Sequence, residues 1–446
     1  MKIFNPKYVY TSNEFLNDAG ILVDDDGIIR KICDFQELKT KYPQAEVETW
    51  KNMVMVPGGV NVHNHSFQIL LRGIAADRPF LEWRDKSLYH YSPLMTKEDI
   101  YVGALFCFAE MMKRGVTCVS DFFYLHNFGT DSDYEIIRAA KDLGMRLVLS
   151  RTMYDWDGAP SGYVETIDRA VKSTKMLADE FNGKTKDMIT VLPSPHSLHA
   201  ASPDMIVAGH ELAKELGTRF HIHVAEEKFE VEQVMREHNG LSTIEYLDKL
   251  GVVDEHMMII HGVYLKPEEI KLMGERGVGL AYCPSSNMFL ADGITNIPDM
   301  IQNDVLIGLG TDGACGNNRN SVFEEMRMVS ILQKAATCDA MCVNYKQAFD
   351  MGTINGGKLL GLPVGDIKEG MRADFAGIDL DDLSMLPISE NLEQMLANVV
   401  YSLEPTAVKN VVINGKDTVH DGIICGISEE ELVEKVRDTM KALNAK

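Results

Sequence analysis

The chain is short of cations for its length. Lys and Arg number 44 against 66 Asp and Glu, a formal charge of -22 over 446 residues. A surface of that sign repels nucleic acid and anionic membranes, so neither is an expected partner. No stretch of 18 or more apolar residues occurs, which excludes a membrane-spanning helix. Residues 1–15 carry two lysines, Lys2 and Lys7, and no apolar core, so they do not read as a signal peptide. The eight cysteines (Cys33, Cys107, Cys118, Cys283, Cys315, Cys338, Cys342 and Cys425) contain no C-x-x-C pair. That excludes a disulfide framework and leads us to expect a reduced, cytoplasmic setting. There is no repeat at periods of 20–50 residues and no low-complexity tract.

What is present is an alternation. Apolar runs at 54–62, 116–122, 146–150, 188–192, 219–224, 257–260, 278–282 and 305–310 read as strands. They are rich in Val, Ile and Leu without strict polar alternation, as suits strands buried on both faces of a parallel sheet. The segments between them carry helix punctuation. Ser202-Pro203 is a cap followed by proline, Thr96 and Asp99 are spaced as a capping box, and Gly115, Gly144, Gly217, Gly251 and Gly277 mark helix ends. Eight such units predict a closed (β/α)8 barrel. An open doubly wound sheet is the runner-up, and no G-x-G-x-x-G follows any strand to support it. The ends differ. Residues 1–56 and 366–425 read as short strands with turns at Asp24–Gly27 and Asn414-Gly415, and are expected to pair into one small composite β-sandwich beside a barrel spanning 57–365. The rest of 366–446 is a charged amphipathic helix at the end of the chain.

Barrels carry their chemistry at the C-terminal ends of the strands. There the sequence places His63-Asn64-His65, His196, His221-Ile222-His223, His261 and Asp312. Residues i and i+2 of an extended segment point the same way, so His63 and His65 can face one metal. His63, His65 and His223 can supply three nitrogens and Asp312 an oxygen, a set that suits zinc and also iron or manganese. His221 competes with His223 because both share a strand face. His223 is preferred because Glu226 follows it by three residues. Asp312 can also accept a proton from water.

Together these pieces resemble the amidohydrolase superfamily, in its cytosine- and S-adenosylhomocysteine-deaminase-like branch. The matching segments are Pro57-Gly58-Gly59-Val60-Asn61-Val62-His63-Asn64-His65, His223-Val224-Ala225-Glu226, Ile260-His261, Gly308-Leu309-Gly310-Thr311-Asp312-Gly313 and Arg372-Ala373-Asp374. The resemblance covers essentially the whole chain. It implies one divalent metal on His63, His65, His223 and Asp312, with Glu226 moving protons to the leaving nitrogen and His261 polarising the substrate. Two-metal members use a lysine at the end of the fourth strand, where this chain reads Leu192-Pro193-Ser194-Pro195-His196.

Two substrate classes stay open. Arg72-Gly73, Trp83, Arg151, Pro195-His196-Ser197 and the run from Thr311 to Arg327 resemble methylthioadenosine/S-adenosylhomocysteine deaminases, whose Trp, Arg and His line a nucleoside pocket. Ser92 stands where that group carries a ribose-binding glutamate. His65-Ser66-Phe67-Gln68, Trp83-Arg84, Phe123-Tyr124-Leu125-His126 and His196-Ser197-Leu198 resemble formiminoglutamate iminohydrolases, which implies substrate contacts at Gln68, Arg84 and Tyr124. His199 stands where that group has a carboxylate-binding arginine. Cys283-Pro284-Ser285-Ser286-Asn287 is similar to guanine deaminases. The expected activity is therefore release of ammonia from an amino-substituted heterocycle such as a purine, pterin or adenosine derivative. The alternative is an iminohydrolase of an acyclic formimino or guanidino-like acid. A third reading, an inactive binding barrel, is opposed by the intact ligand set. The partner is a small molecule, and assembly into a homo-oligomer is left open.

Overall fold

The apolar runs become eight parallel strands, and the computed structural model, which describes residues 1–389 and 391–446, shows where each one ends. They are β1 Gly59–Asn64, β2 Val116–Phe123, β3 Arg146–Met153, β4 Ile189–Pro195, β5 Phe220–Val224, β6 Met257–His261, β7 Gly279–Tyr282 and β8 Leu306–Leu309. β1 to β4 pair in order as one sheet and β5 to β8 as another. The halves close into a (β/α)8 barrel through single backbone bonds. His223 N donates to His196 O at 2.9 Å between β4 and β5, and Asp312 N donates to His63 O at 3.0 Å between β8 and β1. Every residue of β2 and β3 is buried, which explains why these runs show no strict alternation of apolar and polar residues.

The helices begin and end where the sequence punctuates them. Thr96 and Asp99 form the capping box of Lys97–Lys113, and Ser202 caps Pro203–Leu216, which Gly217 closes at φ 65°. One expected strand divides. Residues 54–62 are not a single strand: Glu46–Pro57 belongs to the small β domain, and the barrel begins anew at Gly59. The crossing is at Gly58, whose N–H bonds Asp374 O at 3.1 Å. A Cβ there would lie 2.2 Å from the Thr117 side chain, so only glycine lets the chain pass.

The two ends of the chain build one nine-stranded sheet. Lys2–Thr11 pairs in parallel with Glu46–Pro57, which pairs antiparallel with Phe375–Asp379 and thence with Val408–Ile413. The hairpin from Val408–Ile413 to Lys416–His420 turns on Asn414 and Gly415, both at positive φ, as a two-residue turn requires. Side chains alternate across this sheet. Met55, Phe375 and Val412 join Phe4 and Trp50 in a separate core, while Val54, Val56, Ala376, Val411 and Ile413 pack with the barrel. The region 366–425 is not all strand as expected. A helix, Glu393–Tyr401, interrupts it, burying Met395, Leu396, Val399 and Val400 at helical spacing. The last helix, Glu429–Leu443, is capped by Ser428. Among the described residues no helix is long and apolar enough to cross a membrane.

Candidate functional site

At the C-terminal mouth of the barrel the imidazoles converge. The rings of His63 and His65 lie 4.7 Å apart centre to centre, and His223 lies 4.9 Å from His63. One nitrogen of each of these three lies within 4.8 Å of the other two, and Glu226, His261 and Asp312 form a second group at the same spacing. Asp312 Oδ1 joins the groups, at 3.5 Å from His63 Nε2 and 3.2 Å from His65 Nε2. This closeness depends on Gly310. A Cβ there would fall 2.8 Å from His63 Cβ and 3.0 Å from Cys283 Sγ. The backbone is also strained here. Ala225, His261 and Asp312 hold positive φ of 51°, 69° and 55°, which L-residues adopt at a cost of about 1–3 kcal/mol each.

Hydrogen bonds behind the imidazoles fix which nitrogen faces the centre. His65 Nδ1 donates to Phe122 O at 2.6 Å and His223 Nδ1 to His196 O at 2.9 Å, leaving each Nε2 with a free lone pair. His63 is fully buried and neither ring nitrogen has a hydrogen-bond partner. Asp312 is held by Ser286 Oγ at 2.6 Å and Gly313 N at 2.7 Å. His261 Nδ1 lies 2.8 Å from Asn287 Oδ1, and its Nε2 lies 3.3 Å from Glu226 Oε1.

Burial sets the protonation. It pushes the His63 imidazole down to about 3 and holds His223 and His196 well below the usual histidine range, so all three are neutral donors. Burial also pushes the Asp312 carboxyl up, but the adjacent His63 and His65 imidazoles outweigh it and hold the group well below the usual carboxylate range. Glu226 goes the other way. Burial first, then the charges of Asp292, Glu230 and Asp312, raise its carboxyl well above the ordinary value. Two carboxyls in one pocket are thus driven apart, one to stay charged and one to keep a proton.

Above this centre lies a cleft. Gln68, Trp83, Arg84, Tyr124 and His196 line it, together with His65, His223, Glu226, His261 and Asp312. Gln68 Nε2 donates to Tyr124 OH at 3.0 Å, and Trp83 Nε1 to Cys315 O at 3.1 Å. Arg151 is not part of this wall. β3 runs on to Met153, so Arg151 lies within the strand and points to the helix side, where its guanidinium meets Asp133 at 3.1 Å and Glu165 at 2.9 Å. His221 sits deeper in the barrel, with Nδ1 3.1 Å from Ser150 Oγ, and belongs to neither group of converging side chains. Ser92 is buried, with Oγ 2.6 Å from Tyr163 OH, and His199 Nδ1 pairs with Glu230 Oε1 at 2.9 Å. Tyr89, Tyr154 and Tyr163 also line the cleft and were not foreseen. Ser286 and Asn287 were noticed in the sequence without a role, and their position just beyond β7 was the available signal. The cavity is tight, about 70 Å³, against the ~300–1,000 Å³ of typical ligand pockets.

The family model described as "Amidohydrolase family" matches residues 54–417. A 5-methylthioadenosine/S-adenosylhomocysteine deaminase of Desulforamulus reducens is 32% identical over 435 residues, covering 97% of this chain and 96% of the relative. A 5'-deoxyadenosine deaminase of Methanobrevibacter smithii is 32% identical over 448 residues, covering 96% of this chain and 99% of the relative. Among solved structures, an adenosine deaminase from Xanthomonas campestris with bound zinc superposes with a TM-score of 0.91 at 24% identity, covering 100% of this chain and 99% of that one. An atrazine chlorohydrolase from Arthrobacter aurescens complexed with zinc gives 0.90 at 20% identity, covering 99% and 100%. Likeness at these identities speaks for the shared fold.

Proposed function

The chain belongs to the amidohydrolase family and is a hydrolase acting on carbon–nitrogen bonds, and from that premise we propose that it is a mononuclear metal enzyme that deaminates an adenosine derivative. One observation carries the reading: the imidazoles of His63, His65 and His223 converge with the ionised Asp312 carboxylate beside Glu226, whose carboxyl burial raises well above its ordinary value, at the barrel mouth. The donor set fits a divalent metal, zinc before iron or manganese. His63, His65 and His223 would hold it with their nitrogens and Asp312 with an oxygen. The orphaned nitrogens of His63 and the free Nε2 positions of His65 and His223 support that assignment. Such an ion supplies Lewis acidity that makes water a nucleophile near neutral pH.

The remaining chemistry falls to the chain itself. Asp312, kept ionised, accepts a proton as water attacks the carbon bearing the amine. Glu226, kept protonated, delivers its proton to the ring nitrogen and afterwards carries one to the departing amine. His261 faces the same space and orients the substrate beside the centre. Trp83 and His196 offer flat surfaces to a heterocycle. Relatives that span nearly the whole chain are named for 5'-substituted or 5'-deoxy adenosines, and this favours an adenine base.

A smaller substrate is the second reading. It is favoured by the 70 Å³ cavity, by Ser92, which offers no carboxylate to a ribose, and by Arg84 in the cleft wall. Ammonia release from methylthioadenosine, S-adenosylhomocysteine and 5'-deoxyadenosine, measured beside N-formimino-glutamate, separates the two. Turnover of a nucleoside establishes the first reading, and turnover of the formimino acid alone establishes the second.

A further inference from the structure

A second hollow lies away from the site just described. A cleft of about 700 Å³ lies between the terminal helix Glu429–Leu443, the barrel helix Lys97–Lys113 and the edge of the β domain. Its walls are apolar, formed by Phe106, Val408, Ile424, Leu432 and Val436. Its rim is cationic: Lys113, Arg114, Lys409 and Arg437 stand against Glu110 and Glu429. This is four cations to two acids on a chain that carries 66 acids to 44 cations overall.

Several of these charges lack partners. Lys113 pairs with Glu429, and Arg114 Nη2 donates to Glu110 Oε1 at 2.8 Å. Arg114 Nη1, however, is buried without a hydrogen-bond partner. Among the described residues neither Lys409 nor Arg437 makes an ion pair. Arg114 also lines the adjoining hollow, which holds Arg319 and Arg327, so positive charge runs on beyond the apolar walls. Arg319 there is already paired with Glu324, at 2.6 Å.

A long apolar cleft ending in unpaired cations is complementary to a molecule with an apolar tail and an anionic head. We propose that this cleft binds an amphipathic anion, a free carboxylate on an unbranched acyl chain, at a site separate from the substrate cleft. The tail lies along Phe106, Val408, Leu432 and Val436, and the carboxylate meets Arg114, Lys409 and Arg437.

The test is calorimetric titration of the full-length, metal-loaded protein with dodecanoate below its micelle concentration. Saturable binding to one site is expected. Lys409→Glu combined with Arg437→Glu should weaken it by about tenfold or more, since two attractive charges become repulsive toward the carboxylate. Val436→Trp, which fills the cleft, should abolish binding, and dodecyltrimethylammonium should not bind. None of these variants should alter ammonia release. The proposal is overturned by absence of saturable dodecanoate binding, by equal binding to the charge-reversed protein, or by equal binding of the cationic analogue. It is equally overturned if the protein sediments as a dimer that Val436→Trp dissociates, for the cleft would then be a face for a second copy.

Discussion

His261 Nε2 and Glu226 Oε1 lie 3.3 Å apart, and a single proton belongs between them. The direction of that proton can be followed outward. Thr295 Oγ1 donates to His261 O at 2.8 Å, so its lone pair is what Asn287 Nδ2 meets at 3.5 Å. Asn287 therefore turns Oδ1 toward His261, where it accepts the Nδ1 proton at 2.8 Å. Nε2 is left as an acceptor, and the hydrogen between the pair comes from Glu226. Burial favours the same state from both sides, lowering the imidazole and raising the carboxyl.

Removing the residue that fixes this orientation should slow the reaction without emptying the site. Asn287→Ala is expected to lower kcat by roughly 10–100-fold, the usual cost of losing a partner behind a site residue, while metal content stays at wild type. Steady-state kinetics with metal analysis checks it. An unchanged kcat would show that the His261 orientation does not depend on Asn287.

Arg151 should behave as a structural residue. It is fully buried between Asp133 and Glu165, with His126 beside both acids. Arg151→Met strands two buried carboxylates and should destabilise the protein by about 3–5 kcal/mol, seen as a lower denaturant midpoint. KM should change little in the molecules that fold. A stable variant with KM raised tenfold would return Arg151 to the substrate wall.

Much of this site was legible because its signals are local. A histidine or aspartate just past an apolar run announces itself whatever surrounds it, and His63, His65, His223, His261 and Asp312 were all located that way. Arg151 misled because its place depended on where β3 ends. Ending the strand at residue 150 put Arg151 in a loop over the mouth, whereas extending it to Met153 makes Ser150 face the barrel interior and Arg151 face the helices. Parity alone likewise left His221 and His223 equivalent; the spacing to Glu226 pointed to His223, and in the structure His221 lies deeper in the barrel. The aromatic wall of Tyr89, Tyr154 and Tyr163 was hidden because Tyr89 and the loop carrying Tyr154 and Tyr163 are distant in sequence and meet only in the folded chain. The helix Glu393–Tyr401 was readable from its 395, 396, 399 and 400 spacing but lies among strands, whose pattern dominated.

Stability should depend on pH through Glu325. Burial drives its carboxyl up to about 8, although Ser285 N and Asn317 Nδ2 both donate to it at 3.0 Å. An unfolded glutamate titrates near ~4.3. The folded state therefore retains a proton that the unfolded chain has released. This contribution to stability is full below about pH 4, shrinks as pH rises, and is gone above about pH 8. Glu325→Gln removes the titration while keeping an amide in the same space. Its Tm should exceed wild type by a few degrees at pH 8.5 and converge with it near pH 5. A Tm difference that is constant across this range would contradict the buried, protonated carboxyl.

The most direct test of the whole account is parallel turnover and metal analysis of Glu226→Gln, with Glu227→Gln as its neighbour control. Glutamine keeps the size of Glu226 and can still hydrogen-bond to His261, but it cannot carry a proton. The account predicts one metal per chain in both variants. Turnover should fall by about 10²–10⁴-fold for Glu226→Gln and only mildly for Glu227→Gln, which stands at the N-cap of the helix Lys228–Glu237 with its N–H donating to Glu230 Oε2 at 3.3 Å. Wild-type turnover by Glu226→Gln, or loss of its metal, would contradict the assignment of Glu226 as the proton carrier beside a centre built from His63, His65, His223 and Asp312.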